Sequence, residues 1–337
     1  MLFRSLNPGV AGTSPAVLIA LAASATDRIR LGAGAVQLGH RTELSTVEEF
    51  GLLDALYPGR IDLGLGRSGG GAKPKATEPG PVAPSESSPP ITGRVTENGL
   101  LLPPVFSYEK LLSSPRFSLY KELLQQPDAK TPQYSEQIAT IQALLDGTYR
   151  SAQGVEAHVV PGEAADVQVW ILGSSGGESA QVAGSRGLRF AANYHVSPGT
   201  VLEAVEGYRA AFQASDELDK PYVSVSADVV VADDDSTARE LAAGYGQWVR
   251  SIRTAEGAIQ YPTPEEAARF TWSDEDHALV TDRLDTQFVG SAKTVADKLE
   301  ILQEATGADE LIITTITHDH KDRVRSYQLL ADEWDTR

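Results

Sequence analysis

The chain has 337 residues, within the range of single α/β barrels, and 41% of them are hydrophobic, enough to bury a large core. Its net charge of −17 at pH 7 repels polyanions and so excludes nucleic acid as a partner; the absence of cysteine excludes disulfides, thiolate nucleophiles and cysteine metal sites. No apolar run reaches the roughly 18 residues of a membrane helix and no signal-peptide pattern is present, so we expect a cytoplasmic protein with no membrane partner.

The N-terminal part alternates between helical and strand-like patterns. Ser14 caps a predicted helix with Pro15 in its first turn, and an apolar run rich in small residues follows at 29–38. A second amphipathic helix over 42–56 precedes a buried strand at 61–66. This order, with its tight connections, predicts parallel strands joined by crossover helices.

A segment rich in Gly, Pro and Ser, residues 68–104, interrupts the alternation. Its composition predicts no regular structure. A loop of this length is unusual inside a compact domain, but it follows the C-terminal end of a strand, where the loops of barrel enzymes are often long and functional. We therefore expect a surface excursion or a lid, inserted into a single domain that spans residues 1–337.

The alternation resumes after a predicted helix at 132–145. Strand patterns then lie at 167–172, 188–194, 222–232 and 310–316, with helices between and after them. Six strands of parallel type leave two architectures open, an eight-stranded barrel that lacks two strands and an open doubly wound sheet. The pattern alone does not separate them.

Three motifs lie at or after strand ends, where parallel α/β proteins place their sites. The small residues Gly32–Ala35 let a ligand or another backbone come close, or they merely ease helix packing. Arg67 lies among glycines, and a guanidinium beside exposed backbone N–H groups suits a phosphate. The alternative is a surface arginine that leads into a flexible loop. Ser174, Ser175 and Gly176 precede a helix, which makes them an anion site or an ordinary N-cap.

The histidines give weaker signals. His318 and His320 have no third ligand in view, so we predict no metal site. His195 follows a strand at the end that would face a ligand, and a hydrogen-bonded loop histidine explains it equally well. The G-x-S-x-G nucleophile elbow of α/β-hydrolases is absent.

Together, the motifs resemble the luciferase-like monooxygenase family, whose members use reduced flavin on a (β/α)8 barrel. The matching stretches are residues 14–38, 48–70, 170–195 and 288–331, the last of which resembles the family's final strand and helix. The resemblance implies a TIM-type barrel and a flavin-dependent oxidoreductase. It covers most of the chain in order and leaves the Pro-rich segment unmatched.

The resemblance also implies residues that bind the cofactor. In the family, the strand similar to GAGAV carries a bulge or a non-prolyl cis peptide beneath the flavin ring, which maps onto Gly34 and Ala35. The family's arginine after the next strand contacts the flavin phosphate and maps onto Arg67. The family's Ser-rich phosphate turn maps onto Ser174, Ser175 and Gly176.

The resemblance breaks at the N-terminus. Family members begin with a strand, a helix and a second strand that ends in a His-rich turn over the flavin, whereas residues 6–12 resemble the family's residues just after that turn. We therefore expect a barrel that lacks its N-terminal strand-helix-strand, either as a truncated gene product or with a partner that closes it. For this reason no catalytic residue is assigned.

The function that the resemblance implies is a monooxygenase that uses reduced FMN and O2 on a small organic substrate. A flavin reductase is an expected partner, and a homodimer is the expected assembly. Three alternatives stay open: a hydride-transfer oxidoreductase that uses the deazaflavin F420, a non-catalytic flavin-binding relic, and an unrelated nucleotide-binding enzyme on an open sheet.

Overall fold

The computed structural model describes residues 14–67, 93–254 and 257–337. The strands are β1 (Leu31–Gly32), β2 (Val36–Gln37), β3 (Ile61–Gly66), β4 (Arg94–Val95), β5 (Leu101–Leu102), β6 (Gln168–Gly173), β7 (Arg189–Asn193), β8 (Val223–Ala232), β9 (Phe288–Ser291) and β10 (Glu310–Thr314). The α-helices are α1 (Pro15–Ser24), α2 (Glu43–Leu56), α3 (Glu109–Leu112), α4 (Pro115–Leu123), α5 (Tyr134–Leu145), α6 (Glu178–Ser185), α7 (Val201–Ala211), α8 (Asp235–Leu241), α9 (Tyr245–Arg253), α10 (Pro264–Ala268), α11 (Asp274–Thr286), α12 (Ala292–Thr306) and α13 (His320–Trp334).

One parallel sheet organises the fold. β1 and β2 both pair with β3, and the order then runs β3, β6, β7, β8, β10, with β9 paired to the end of β8. Neighbours in space thus follow one another along the chain, as in a barrel; a doubly wound sheet reverses its strand order instead. This order confirms the barrel-type prediction.

The described strands form an arc with two edges. β1 and β2 lie at one edge and β10 at the other, and no pairing joins the two edges among the described residues. The edge strand β10 leaves Ile312 42% exposed. Among the described residues, six strand positions follow one another in parallel order, as in part of a TIM-type barrel.

β1 and β2 are two halves of one predicted strand. Leu31 pairs with Ile61 at the start of β3, and Val36 pairs with Leu65 near its end. The peptide bond between Gly34 and Ala35, in the segment that joins the two halves, is cis. The family resemblance implies either a bulge or a non-prolyl cis peptide at this position, and the structure has the cis peptide.

Helices cover the outer face of the sheet and bury the core between the layers. The apolar faces of α2 and α5 contribute Val47, Phe50, Ile138 and Ile141, all fully buried. All ten residues of β8 are buried, because strands flank it on both sides and α8, α12 and α13 pack against it. None of the described helices is both long and apolar enough to cross a membrane.

The prediction of no regular structure over 68–104 is wrong at its C-terminal end. β4 and β5 pair as an antiparallel hairpin, and the Thr96 N–H donates to the Leu100 carbonyl across the turn. The turn contains Asn98-Gly99, a strong hairpin signal, with Gly99 at φ 95°. The rest of the predicted loop, residues 68–92, lies outside the described residues.

A second correction concerns β9. The sequence pattern predicts no strand between the strands at 222–232 and 310–316, yet Phe288–Ser291 pairs with Val229–Ala232 of β8. Four residues are too few for an alternation to stand out. Only the pairing with the long strand β8 defines this strand.

Gly64 lets the segment between β1 and β2 lie against β3. A Cβ on Gly64 would stand 1.8 Å from the Ala33 carbonyl oxygen, a contact that no side chain can make. Because Gly64 has no side chain, the backbone at Ala33, just before Gly34 and Ala35, can lie directly against β3.

We expect Gly64→Ala to lower the free energy of unfolding by about 1–3 kcal/mol, because the backbone must move to relieve the overlap. Urea denaturation followed by circular dichroism measures the change. Gly177→Ala is the matched control, since a Cβ there would meet its nearest atom, the Ser175 hydroxyl oxygen, at 3.4 Å. Equal losses in the two variants would contradict the role assigned to Gly64.

Candidate active site

A cavity of about 160 Å³ lies at the C-terminal ends of the parallel strands. This rim is where parallel α/β barrels bind small molecules. Every strand position of the arc contributes to its wall. The lining residues are Gly34, Gly66, Arg67, Leu172, Gly173, Ser174, Ser175, Ser179, Ala191, Ala192, Asn193, His195, Ser226, Ile312 and Thr314.

The cavity brings together most of the residues that the sequence singles out. Gly34, Arg67, Ser174 and Ser175 come from three different strand ends and line the same wall. Ala35 is not among the lining residues, although it shares the cis peptide bond with Gly34. Gly176 is also outside the lining.

The Ser174–Gly176 turn is not an ordinary serine cap of α6. The N-cap residue of α6 is Gly177, which makes no side-chain capping bond. The Ser175 hydroxyl oxygen accepts only a long bond of 3.4 Å from the Gly177 N–H, and the Ser174 carbonyl accepts a hydrogen bond from the Thr200 hydroxyl. The turn therefore presents serine hydroxyls beside the start of a helix, an arrangement that suits an anion.

Two carboxylates are paired with the groups predicted to hold a phosphate. Arg67 Nη1 donates to Glu178 Oε2 at 2.8 Å, and the Arg67 side chain is 48% exposed. The Gly176 N–H donates to Glu203 Oε1 at 3.2 Å. An anion that enters this corner competes with both carboxylates and is repelled by their charge.

His195 is a cavity residue that the sequence left undecided. It follows β7, and its Nδ1 lies 2.7 Å from the Ser226 hydroxyl of β8. Its Nε2 is buried and has no hydrogen-bond partner among the described residues. Burial lowers the pKa of His195 to about 3, so the imidazole is neutral at physiological pH.

A buried polar cluster lies behind the cavity wall, built on Asp228 of β8. One Asp228 oxygen accepts from the Thr314 hydroxyl, and the other accepts from Tyr245 and from Arg283 Nη2, the last at 2.9 Å. Arg283 also donates to the Tyr245 hydroxyl. Since Thr314 lines the cavity, the cluster orients part of its wall.

In this cluster, ion pairing and hydrogen bonds shift the pKa values of Asp228 and Arg283 more strongly than burial does. Burial alone would raise the pKa of Asp228, but the Arg283 guanidinium and the hydroxyl donors hold it below its usual value. Burial alone would lower the pKa of Arg283, but Tyr245 and Asp228 raise it. Both side chains are therefore charged, and the Arg283 Nε–H is the one donor of the pair that is buried without a hydrogen-bond partner among the described residues.

The two histidines that the sequence offers as a metal pair have partners outside the cavity. His318 Nδ1 lies 2.8 Å from the Tyr261 carbonyl, and His320 Nδ1 lies 2.7 Å from Arg323 Nη2. Among residues 14–67, 93–254 and 257–337, no group of three or more His, Asp or Glu side chains is placed to hold a metal ion.

Comparison with known proteins gives one consistent family. The family model described as luciferase-like monooxygenase matches residues 4–78 and 121–310. The chain is 33% identical to YvbT of Bacillus subtilis over 98% of its own length and 83% of that protein. It is 30% identical to a luciferase-like monooxygenase of Escherichia coli K12, over 96% and 82% of the two chains.

Solved structures agree with this family. The crystal structure of apo-MsnO8 superposes with a TM-score of 0.68 at 26% identity, over 96% of this chain and 82% of that one. More distant neighbours show the fold alone: a Baeyer-Villiger monooxygenase in complex with FMN at 20% identity, and an F420-dependent reductase of Methanopyrus kandleri at 16%. Proteins with this fold thus bind FMN or F420.

We expect Arg283→Met to lower the free energy of unfolding by about 3–5 kcal/mol at pH 7, because it leaves the Asp228 carboxylate buried without its cation. Urea denaturation measures the loss. Lys293→Met is the matched control; it breaks an exposed pair with Asp297 and should cost less than about 1 kcal/mol. Losses of similar size in both variants would show that the buried pair is not the stabilising element.

Proposed function

Because this chain belongs to the luciferase-like monooxygenase family, we propose that it is a flavin-dependent monooxygenase that uses reduced FMN and O2 on a small organic substrate. The observation that carries the proposal is the convergence of Gly34, Arg67, Ser174 and Ser175 on one cavity. These residues come from strands far apart in sequence, and each has a group suited to one part of a flavin. In this proposal, a separate flavin reductase supplies the reduced cofactor.

The polar corner of the cavity fits the phosphate of FMN. The Arg67 guanidinium and the hydroxyls of Ser174 and Ser175 are charged or polar donors beside the start of α6. Such donors and a helix N-terminus both favour a phosphate. On the strand next to β3, the small residue Gly34 lines the same cavity and leaves room for the flat face of a ring.

The rest of the wall is mostly apolar. Leu172, Ala191, Ala192 and Ile312 line it together with a few polar groups. When bound, reduced flavin supplies the electrons that activate O2. The apolar wall keeps water away from the reacting atoms and leaves space for a small apolar substrate.

The charge around the phosphate corner favours FMN over F420. Glu178 and Glu203 pair with its donors. FMN ends in one phosphate, whereas F420 extends beyond its phosphate into a chain of glutamates. A polyanionic tail would have to lie among these carboxylates, which costs free energy at short range.

We expect FMN to bind the protein, and Arg67→Gln to weaken this binding about tenfold or more, because a charge-assisted contact to the phosphate is lost. Riboflavin lacks the phosphate, so its affinity should be the same in both proteins. Quenching of flavin fluorescence measures the oxidised forms, and anaerobic titration with dithionite-reduced FMN measures the reduced form.

Titration with F420 tests the alternative cofactor under the same conditions. Binding of neither FMN nor F420 in either oxidation state would sink the proposed function. For a protein that binds FMN, oxygen uptake coupled to a flavin reductase and NADH, with panels of aldehydes, ketones and thioethers, then tests turnover.

Glu178→Gln should tighten FMN binding about fivefold, because Arg67 loses its competing carboxylate and the phosphate loses a repulsive neighbour. Riboflavin binding should not change. The control is Glu206→Gln, which removes the same charge from an exposed position of α7. If FMN binding weakens in Glu178→Gln, the carboxylate positions Arg67 for the phosphate instead of competing with it.

A further inference from the structure

We propose that His195 is a cofactor-contacting residue, whose Nε2–H donates a hydrogen bond to an acceptor atom of the flavin beyond its phosphate. The inference rests on the proposed function, because it takes flavin as the ligand of the cavity. It assigns a role over the ring or ribityl chain to a residue that lies outside the phosphate corner.

The first observation is an unpaired polar atom in the cavity wall. His195 lines the cavity, and its Nε2 is buried without a hydrogen-bond partner among the described residues. Buried polar atoms in folded proteins are almost always hydrogen-bonded, so an exception in a site wall indicates a group kept for a ligand. The other ring nitrogen is engaged, which prevents the imidazole from turning over without losing a bond.

The second observation is the contact with Ser226, which places the proton of the neutral ring. Ser226 Oγ lies 2.7 Å from His195 Nδ1 and 3.4 Å from the Ala192 carbonyl. The hydroxyl has one proton, and Nδ1 is the nearer of its two acceptors. We therefore take Ser226 as the donor to Nδ1, which puts the proton of the neutral imidazole on Nε2.

The backbone holds this arrangement in place. The N–H groups of Tyr194 and His195 both donate to the Ser226 carbonyl, at 2.9 and 3.1 Å. Asn193 accepts from the Ser197 N–H at 3.0 Å and donates to the Gly173 carbonyl at 3.3 Å. The His195 loop is therefore fastened both to β8 and to β6, the strand that leads into the phosphate turn.

The third observation is the position of His195 relative to the two ends of the proposed flavin site. β7 is the direct neighbour of β6, which leads to Ser174 and Ser175. Gly34 lines the same cavity from the edge of the arc three strand positions away. Along the arc the serine turn lies between Gly34 and His195, and all three line one cavity, so a ligand that is anchored at the turn and extends across the cavity borders His195 as well as Gly34.

The neighbours of His195 keep it neutral. Burial disfavours the imidazolium more strongly than the nearby Asp228 carboxylate favours it, and Arg283 adds to the effect of burial. A neutral imidazole can donate through Nε2 without bringing a charge against an uncharged ring or a hydroxyl chain. The proposed contact is therefore a hydrogen bond and not an ion pair.

The test compares His195→Leu, His195→Gln and Arg67→Gln in titrations with FMN and with riboflavin. We expect His195→Leu to weaken both ligands by the same factor, about tenfold, because the lost donor does not contact the phosphate. His195→Gln retains a donor and should recover part of the affinity. Arg67→Gln should affect FMN alone, and His320→Gln, an exposed histidine outside the cavity, should affect neither ligand.

A spectroscopic measurement separates a direct contact from a structural role. In ¹⁵N spectra of histidine rings, assigned with the His195→Gln variant, the wild-type His195 Nε2–H signal should be present without ligand. It should shift when either flavin is added. The visible absorption band of the bound flavin should differ between the wild type and His195→Leu if the acceptor is a ring atom.

The outcomes distinguish this inference from the proposed function. Equal flavin affinities in the wild type and His195→Leu, with no shift of the Nε2–H signal, would overturn the inference and leave the proposed function standing. Failure of the wild type to bind any flavin would overturn both. If His195→Leu does not fold, the ¹⁵N shift in the wild type and the His195→Gln titration decide the question.

Discussion

Parallel pairing of consecutive strands is the constraint on which the cavity depends. Because each strand returns through a helix to start beside its predecessor, all C-terminal ends meet at one rim. Arg67 after β3, Ser174 after β6 and His195 after β7 are far apart in sequence but follow neighbouring strand ends. The rim thus combines a cation, hydroxyls and an imidazole in one wall without any long-range motif.

This arrangement requires polar groups close to the sheet centre, and Asp228 shows how the fold tolerates them. It lies in the fully buried strand β8, where an uncompensated carboxylate would oppose folding. Thr314, Tyr245 and Arg283 satisfy it from β10, α9 and α11. The same strand supplies Ser226, two residues earlier, whose hydroxyl faces His195. One strand therefore anchors both the stabilising cluster and the tautomer of the imidazole.

The sequence predicts the parts of the site that local signals encode. Arg67 and Ser174 stand out because glycines and a strand end surround them, and the resemblance to a family adds the Gly34–Ala35 bond. The six parallel strands follow from apolar runs. These features depend on neighbours within a few residues, so they can be inferred without coordinates.

Tertiary partners carry no such signal. Arg283 is 55 residues from Asp228 and 38 from Tyr245, and Glu178 is 111 residues from Arg67. These residues come together only in the folded chain. From the sequence alone, Arg283 and Glu178 look like ordinary charged residues on the surface of a helix. The β4–β5 hairpin is hidden for another reason: its Asn98-Gly99 turn lies at the end of a segment whose overall composition indicates no structure. At this turn, the Asn-Gly pair is a better guide to the structure than the average composition of the segment.

The pairing of Arg67 with Glu178 also bears on how such a site holds its cofactor. A chain with a net charge of −17 offers a phosphate one guanidinium that is already engaged by a carboxylate, while Glu203 accepts from a nearby backbone N–H. Phosphate binding then replaces one charge pair with another, so the gain is the difference between two similar interactions. Under the proposed function, a flavin held in this way would exchange readily with solution. Such exchange is what an oxygenase needs if a different protein reduces its flavin, so the carboxylates that oppose phosphate binding fit the proposed supply of reduced flavin by a separate reductase.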